Sequence, residues 1–323
     1  MTSEDGLLLL DEEARWRARD VRYVEGVWER LRKEIPKFTV AEFRAGKDMP
    51  ANPYLQAVVR VPRNPLEQPV PVGVVSKTYT LAQHVDVAER CLEGIREAGF
   101  DTHRLRCQVG LTELGEWMNF RVYFPDQLDF AALDGGKMGL RLECFNSVDG
   151  SSRLVLYLGW LRFVCANGMV VGTTMAELKD IHNPHMDLDR IAGIVSHGMT
   201  LIQDDRERMK DWEGCPVQRH QLEGWVDTDL AKAWGKKAAC RIFHICTAGC
   251  DVEYADPFAK ELPTQKPVKR LKQVPGAPST AENLYAVSQA LSWIATRKMN
   301  PDIRREWQLK IPALIGQLSD YQA

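Results

Sequence analysis

A chain of 323 residues that is 45% hydrophobic and 27% charged has enough apolar material for a large core and the balance of an ordinary globular protein. Its 42 Lys and Arg nearly cancel 44 Asp and Glu, which excludes a global basic field, so any binding to nucleic acid or anionic lipid has to come from a local patch. The apolar run Leu7 to Leu10, followed at once by Asp11, Glu12 and Glu13, is too short and wrongly flanked for a signal peptide or membrane span, and eight cysteines without such a signal read as reduced thiols; a cytoplasmic location without membrane contact is expected.

In chain order, Trp16, Arg19, Tyr23, Val27, Leu31 and Ile35 recur at helix-like spacing between Ala14 and Lys37, and Pro36 stops the pattern, which predicts an amphipathic helix. Loops rich in Pro and Asn flank Tyr54 to Val61, whose Val58, Val59 and Val61 suit a strand. A second strand is expected from Val70 to Tyr79, and then Val87, Cys91, Leu92 and Ile95 predict a helix over Asp86 to Phe100 ending at Gly99. His103 to Leu111, Trp117 to Phe124, Leu140 to Phe145 and Arg153 to Val164 alternate or run apolar between Gly, Asp and Asn, as hairpin-linked antiparallel strands do.

Beyond Gly172 the pattern turns helical. Ile191, Ile194, Val195, Met199, Leu201 and Ile202 predict one helix running into the charged stretch Asp204 to Asp211, and Leu222 to Lys237 predicts another. Residues 256–278 hold five prolines with the basic residues Lys266, Lys269, Arg270 and Lys272, the composition of an extended, solvated linker. Ser279 to Asn283 introduce a helix through Leu284, Val287, Leu291 and Ile294, and a last helix starts at Pro301. The expected architecture is α+β: a central antiparallel sheet over about Val70 to Val171, an N-terminal helix packed near it, and a C-terminal helical region. The segments are 1–70 (helix and strand), 71–255 (α+β core), 256–278 (basic linker) and 279–323 (helices).

Chemistry could sit at three places. Cys240, His244, Cys246 and Cys250 supply four zinc-compatible ligands within eleven residues, but the spacing C-x3-H-x-C-x3-C matches no common structural site, and Ile242 to Cys246 reads equally well as a buried strand of packed thiols. His182 and His185 stand near Asp180, Asp187 and Asp189, a set that could hold a divalent cation; alternatively Asp187 or Asp189 caps a helix and the histidines are solvated. Ser147 or Cys165 could act as nucleophile only with a base in reach, and one sequence places no histidine there. The chain has no G-x-S-x-G, P-loop, G-x-G-x-x-G or H-E-x-x-H motif, so no cofactor is expected and an enzyme is less expected than a binding protein.

Two further motifs are turn signals. Phe145-Asn146-Ser147-Val148-Asp149-Gly150-Ser151-Ser152 has the Asn, Asp and Gly of a tight turn between strands, and Arg162-Phe163-Val164-Cys165-Ala166-Asn167-Gly168-Met169 ends a strand in Asn-Gly. Together, an N-S-x-D-G-S turn followed about ten residues later by R-x-V-C-x-N-G resembles the signature of domain of unknown function 932, the phage/plasmid-like protein family. Val72 to Tyr79, His185 with Arg190, and Asn283 to Trp293 resemble further family segments, so the similarity runs from about residue 20 to the end. The motif residues it singles out are Asn146, Ser147, Asp149, Gly150, Arg162, Cys165 and Asn167. The resemblance implies a mobile-element origin and supplies no activity.

Three functions compete. The favoured expectation is a non-enzymatic nucleic-acid-binding protein in recombination or replication, an oligomer that holds single strands, through Arg153, Arg162, Lys179, Arg190, Lys266, Lys269, Arg270 and Lys272, with stacking platforms among nine tryptophans. A metal-dependent enzyme on nucleotides or nucleic acid would draw on Asp149, His185 and Asp187. An anti-defence factor that occupies a host protein would show an exposed apolar patch.

Overall fold

The computed structural model of the chain describes residues 7–10, 13–124, 130–131, 137–162, 169–171, 177–180, 182–256, 258 and 260–321. In chain order the elements are β1 (Leu8–Leu10), β2 (Arg15–Trp16), β3 (Arg19–Gly26), α1 (Trp28–Leu31), β4 (Phe38–Glu42), β5 (Leu55–Arg60), β6 (Val70–Ser76), α2 (His84–Glu97), β7 (Arg106–Thr112), β8 (Trp117–Tyr123), β9 (Phe130–Ala131), β10 (Lys137–Ser147), β11 (Leu154–Arg162), β12 (Met169–Val171) and β13 (Glu177–Asp180). There follow α3 (Asp189–Thr200), α4 (Ile202–Gly214), α5 (Arg219–Trp225), α6 (Ala231–Trp234), α7 (Lys236–Ala248), β14 (Cys250–Tyr254), β15 (Val268–Gln273), α8 (Leu284–Thr296) and α9 (Pro301–Asp320). They make two units: residues 1–125, 141–158 and 174–201, and residues 126–140, 159–173 and 202–323.

The first unit is built on an antiparallel sheet in the order β1-β3-β7-β8-β10-β11, with β13 on β11 and β2 on β3. Alternation in β8 explains its place. Met118, Phe120 and Val122 point to one side and are fully buried. On that side lies α2, whose Val87, Ala88, Cys91, Leu92 and Ile95 fall on one helical face and form its buried stripe. Each such buried apolar side chain contributes roughly 1.5–3 kcal/mol relative to exposure. A separate three-stranded antiparallel sheet, β4-β5-β6, encloses a small core of Phe38, Val58, Val75 and Val148. The strand expected at Val70 to Tyr79 therefore exists but belongs to this second sheet. Helix α2 closes before Gly99, which takes the left-handed φ of +91°.

The helix expected over Ala14 to Lys37 is replaced by β2, β3 and the single turn α1. Val21 and Tyr23 are buried while Asp20 and Arg22 are exposed, a period of two, and β3 satisfies its backbone by pairing with β7 from Val21↔Thr112 to Gly26↔Cys107. The turn into β3 uses Arg17 (φ 47°) and Ala18 (φ 64°), side chains that carry no turn signal.

The second unit is mainly helical, with β14 and β15 as an antiparallel ribbon. Helix α8 is buried on almost every side and packs on α4, α7 and α9; Asn283 caps it by accepting the Ala286 N–H at 2.9 Å. Asn300 caps α9, and Pro301 occupies its first turn where no N–H is needed. The apolar run Ile242 to Cys246 is helical rather than extended: it belongs to α7, whose Ala238, Ala239, Cys240, Ile242, Phe243, Ile245 and Cys246 are all buried. A helix buried this widely shows the same continuous apolar run as a buried strand. Residues 256–278 are not a solvated linker throughout, since Val268 to Gln273 form β15 and hydrogen-bond to β14. Leu201 separates α3 from α4, so the helix expected to run into the charged stretch is two helices. Among the described residues no helix is long and apolar enough to cross a membrane.

Candidate functional site

The N-S-x-D-G-S motif folds into a clasp at the end of β10. Ser147 Oγ donates to the Ser152 carbonyl and accepts the Ser152 N–H, both at 2.9 Å, so one hydroxyl closes the turn twice. Asp149 Oδ1 accepts the Ser151 N–H at 3.0 Å and is also bonded by the Ser151 hydroxyl, and Gly150 supplies the φ of +75° that the turn needs. Strand β6 presses on this turn so closely that a Cβ at Gly73 would lie 2.7 Å from Asp149 Cα.

Asn146 reaches the other way. Its Nδ2 donates to the Ala82 carbonyl at 3.0 Å and lies 2.9 Å from His84 Nδ1, while His84 Nε2 is 2.9 Å from the Gly115 carbonyl. An amide N–H can only donate and a carbonyl can only accept, so the ring must be neutral with its proton on Nε2. Burial pulls the His84 pKa down to about 3; the Gly115 carbonyl opposes this and the nearby His182 adds to it. Both ring nitrogens are thus committed to structural bonds. Tyr79 stacks on His182 with centroids 5.0 Å apart and donates its hydroxyl to the Ser147 carbonyl at 3.1 Å. Burial, then the Asp149 charge, raises the Tyr79 pKa far above its ordinary value, which keeps that donor protonated. Val72 to Tyr79 and the Asn146 turn, apart in sequence, are therefore two halves of one joint. His84 and His182 were not singled out with Asn146 in the sequence, because no local spacing links positions this far apart.

On the sheet face opposite α2, strands β3, β7, β8 and β10 carry a buried polar lattice. Tyr23 Oη donates to Asn119 Oδ1 at 3.0 Å, Asn119 Nδ2 donates to Glu143 Oε1 at 2.9 Å, and Arg121 Nε donates to the same oxygen at 3.0 Å. Arg141 pairs with the other Glu143 oxygen, and the Arg121 guanidinium lies 4.4 Å over the Tyr23 ring. Gln108 joins Glu25 at 2.8 Å and accepts from Tyr123 at 3.0 Å. Alternation would have made this the solvent face, yet Asn119 and Glu143 are at most 1% exposed.

The candidates for metal and catalytic chemistry are held locally. Asp149 serves its turn, the exposed His185 gives its backbone N–H to Asn183 at 2.9 Å, and Asp187 Oδ1 accepts the Asp189 N–H at 2.9 Å, whereas His182 is buried rather than solvated. Cys240 and Cys246 are buried in α7, where burial raises their thiols to about 11 and about 12, and His244 is held low by burial and then by Arg270. Cys250 follows the helix on β14. Among the described residues no three His, Cys, Asp or Glu side chains converge to hold a metal. Cys165 and Asn167 lie outside the described residues.

The basic candidates divide between the units. Arg153 and Arg190 are exposed in the first unit, and Lys179 pairs by its backbone with Val155. In the second, the backbone of Arg162 pairs with Met169, and Lys269, Arg270 and Lys272 stand exposed along β15. Lys266 differs, being 6% exposed with its ammonium 4.4 Å over the Tyr254 ring. The wider pattern was missed in the sequence: residues 232–310 hold fourteen Lys and Arg against seven Asp and Glu, a local net charge of +7 in a chain of −2. The basic doublets Lys236-Lys237, Lys269-Arg270, Arg297-Lys298 and Arg304-Arg305 are its signal.

An antiparallel sheet, a clasp built on the N-S-x-D-G-S turn and a mainly helical second unit define an α+β protein. The chain belongs to the family described as Domain of unknown function (DUF932), whose model matches residues 71–245 and so takes in both turn motifs, β6 and the start of α3. The match is narrower than the resemblance read from about residue 20 to the end. No curated protein and no solved structure matches the chain.

Proposed function

We propose that the chain is a non-enzymatic nucleic-acid-binding protein that holds single strands in recombination or replication, and that residues 232–310 make the contact. The observation that carries this reading is the segregation of charge: +7 over 232–310 against −9 over the rest, with Lys269, Arg270 and Lys272 exposed on one strand of a ribbon. A near-neutral protein with such a patch attracts a polyanion to one place and repels it elsewhere. The commitment of His84, Asp149 and Asp187 to structural bonds argues in the same direction.

The test is fluorescence anisotropy with a labelled oligo-dT twenty-mer and a duplex of equal length across a salt series. Wild type is expected to bind the single strand with an affinity that falls as salt rises. The triple change Lys269→Ala, Arg270→Ala, Lys272→Ala is expected to shallow the log–log salt slope by about 2, since each phosphate contact on a single strand contributes about 0.7. Absence of binding at low salt overturns the reading, and an unchanged slope in the triple variant removes β15 from it.

A further inference from the structure

A cavity of about 220 Å³ opens in the first unit between α1, α2 and the short turn Thr102–Arg104. Its apolar lining is Leu92, from the buried stripe of α2, and Trp28, which sits edge-on against Phe120 of the sheet with ring centroids 5.3 Å apart. The rest of the lining is polar, and its charges are sorted. Glu89, Leu92 and Arg96 fall on one face of α2, so Glu89 and Arg96 stand two turns apart, about 10 Å along the helix axis. Beside Glu89, Arg32 lies 3.3 Å from that carboxylate and 3.6 Å from Glu29, which leaves two carboxylates to one guanidinium. Arg96 lies at the end of α2 from which the chain continues to Thr102 and His103, and it has no ion pair among the described residues.

Two lining side chains also carry polar groups without a protein partner. Trp28 is 7% and Thr102 is 8% exposed, yet neither the Trp28 indole N–H nor the Thr102 hydroxyl has a hydrogen-bond partner among the described residues. Buried polar groups are ordinarily bonded, and both of these side chains border the cavity. Taken alone, the charges have a structural explanation: Arg32 with its glutamates is a surface ion pair, and Arg96 in the last turn of α2 complements the helix dipole. That explanation covers neither the Trp28 donor nor the Thr102 hydroxyl.

We infer that this cavity is a binding site for a small dipolar molecule, an ω-aminocarboxylate. Its ammonium joins Glu29 and Glu89, its carboxylate meets Arg96, and its methylene chain lies along Leu92 and Trp28. The Thr102 hydroxyl and the Trp28 N–H supply neutral hydrogen bonds that fix its position. A ligand with like charges at both ends meets repulsion at one of them. The volume is below the roughly 300–1,000 Å³ of pockets for drug-sized ligands, which suits a short chain. The site belongs to the first unit and does not rest on the nucleic-acid reading.

The probe is ε-aminocaproate, with hexylamine and hexanoate as counterparts that keep one charge each. Binding to the whole chain is titrated by ligand-observed saturation-transfer NMR for wild type, Glu89→Gln, Arg96→Met and Thr102→Val, each checked by circular dichroism and urea denaturation. Wild type is expected to bind ε-aminocaproate about two- to fivefold more tightly than either counterpart, the worth of one partly exposed ion pair. Glu89→Gln leaves Glu29 merely to balance Arg32, and is expected to weaken ε-aminocaproate and hexylamine by a similar factor without weakening hexanoate. Arg96→Met is expected to weaken ε-aminocaproate and hexanoate and to spare hexylamine. Thr102→Val removes a hydroxyl that bonds nothing in the protein, so it is expected to weaken ε-aminocaproate without lowering the urea midpoint, a split that a structural role does not give. No saturable binding of ε-aminocaproate to wild type overturns the site, and unchanged affinity in both charge variants does the same. Equal affinity for the three probes overturns the dipolar assignment. Tighter binding of an acetylated peptide ending in lysine, which carries the same dipole at its C-terminus, overturns the assignment to a free small molecule.

Discussion

The neutral, fully buried imidazole of His84 makes the stability of the chain depend on pH in a defined direction. Its pKa is about 3 in the folded protein against an ordinary value of 6.5. As pH falls through 6.5 the unfolded chain takes up this proton and the folded chain does not, so the unfolded state binds more protons and stability falls with pH. The contribution is complete above 6.5 and is withdrawn at up to 1.36 kcal/mol per pH unit until the folded ring itself protonates near 3. Between pH 7 and pH 5 the loss from this one residue is about 2 kcal/mol, and the full window to pH 3 carries about 5 kcal/mol. Urea denaturation at pH 5, 6, 7 and 8, for wild type and His84→Gln, isolates it. The variant starts from lower stability because it disturbs the bonds to Gly115 and Asn146, but it has no imidazole to titrate. The difference between the two proteins should therefore shrink by about 2 kcal/mol on going from pH 7 to pH 5. A difference that stays constant across that range refutes the neutral, doubly bonded ring.

Glu143→Gln removes the carboxylate that Arg121 and Arg141 share inside the sheet, and should cost about 3–5 kcal/mol in urea unfolding at pH 7; a loss under about 1 kcal/mol would mean the lattice does not depend on that charge. Gly73→Ala drives a methyl into the backbone of Asp149, which has no flexible end to move aside, and should lower stability by about 1–3 kcal/mol by forcing β6 off the motif turn. A variant as stable as wild type would show that the clasp has slack.

The extent to which the sequence was legible follows from the range of the interactions involved. Helix α2 could be read because its apolar stripe, its boundary at Gly99 and its length are all local, and α8 and α9 because Asn283, Asn300 and Pro301 act within one turn of themselves. The turn at Asn146 to Ser152 was legible for the same reason: Ser147, Asp149 and Gly150 close it among themselves. The strand at Arg19 to Gly26 was not, because Trp16, Tyr23 and Val27 satisfy a helical spacing as well as Val21 and Tyr23 satisfy a strand, and the deciding partner is β7, more than eighty residues away. Its turn, Arg17-Ala18, holds left-handed backbone with side chains that ordinarily avoid it.

By itself the sequence determined the α+β class, the family to which the chain belongs, and the turn chemistry of its motif, since each depends on residues that are neighbours along the chain. Tertiary structure alone decided that Asn146 locks His84, that Arg121 and Glu143 are buried instead of solvated, that Lys266 lies under cover while Lys269 to Lys272 line an exposed strand, and that the Lys298 ammonium sits over Trp307. Those facts depend on which surfaces meet. Apolar periodicity specifies that a face will be buried and leaves open what will bury it, so polar and charged partners brought together across the fold have no signature in one dimension.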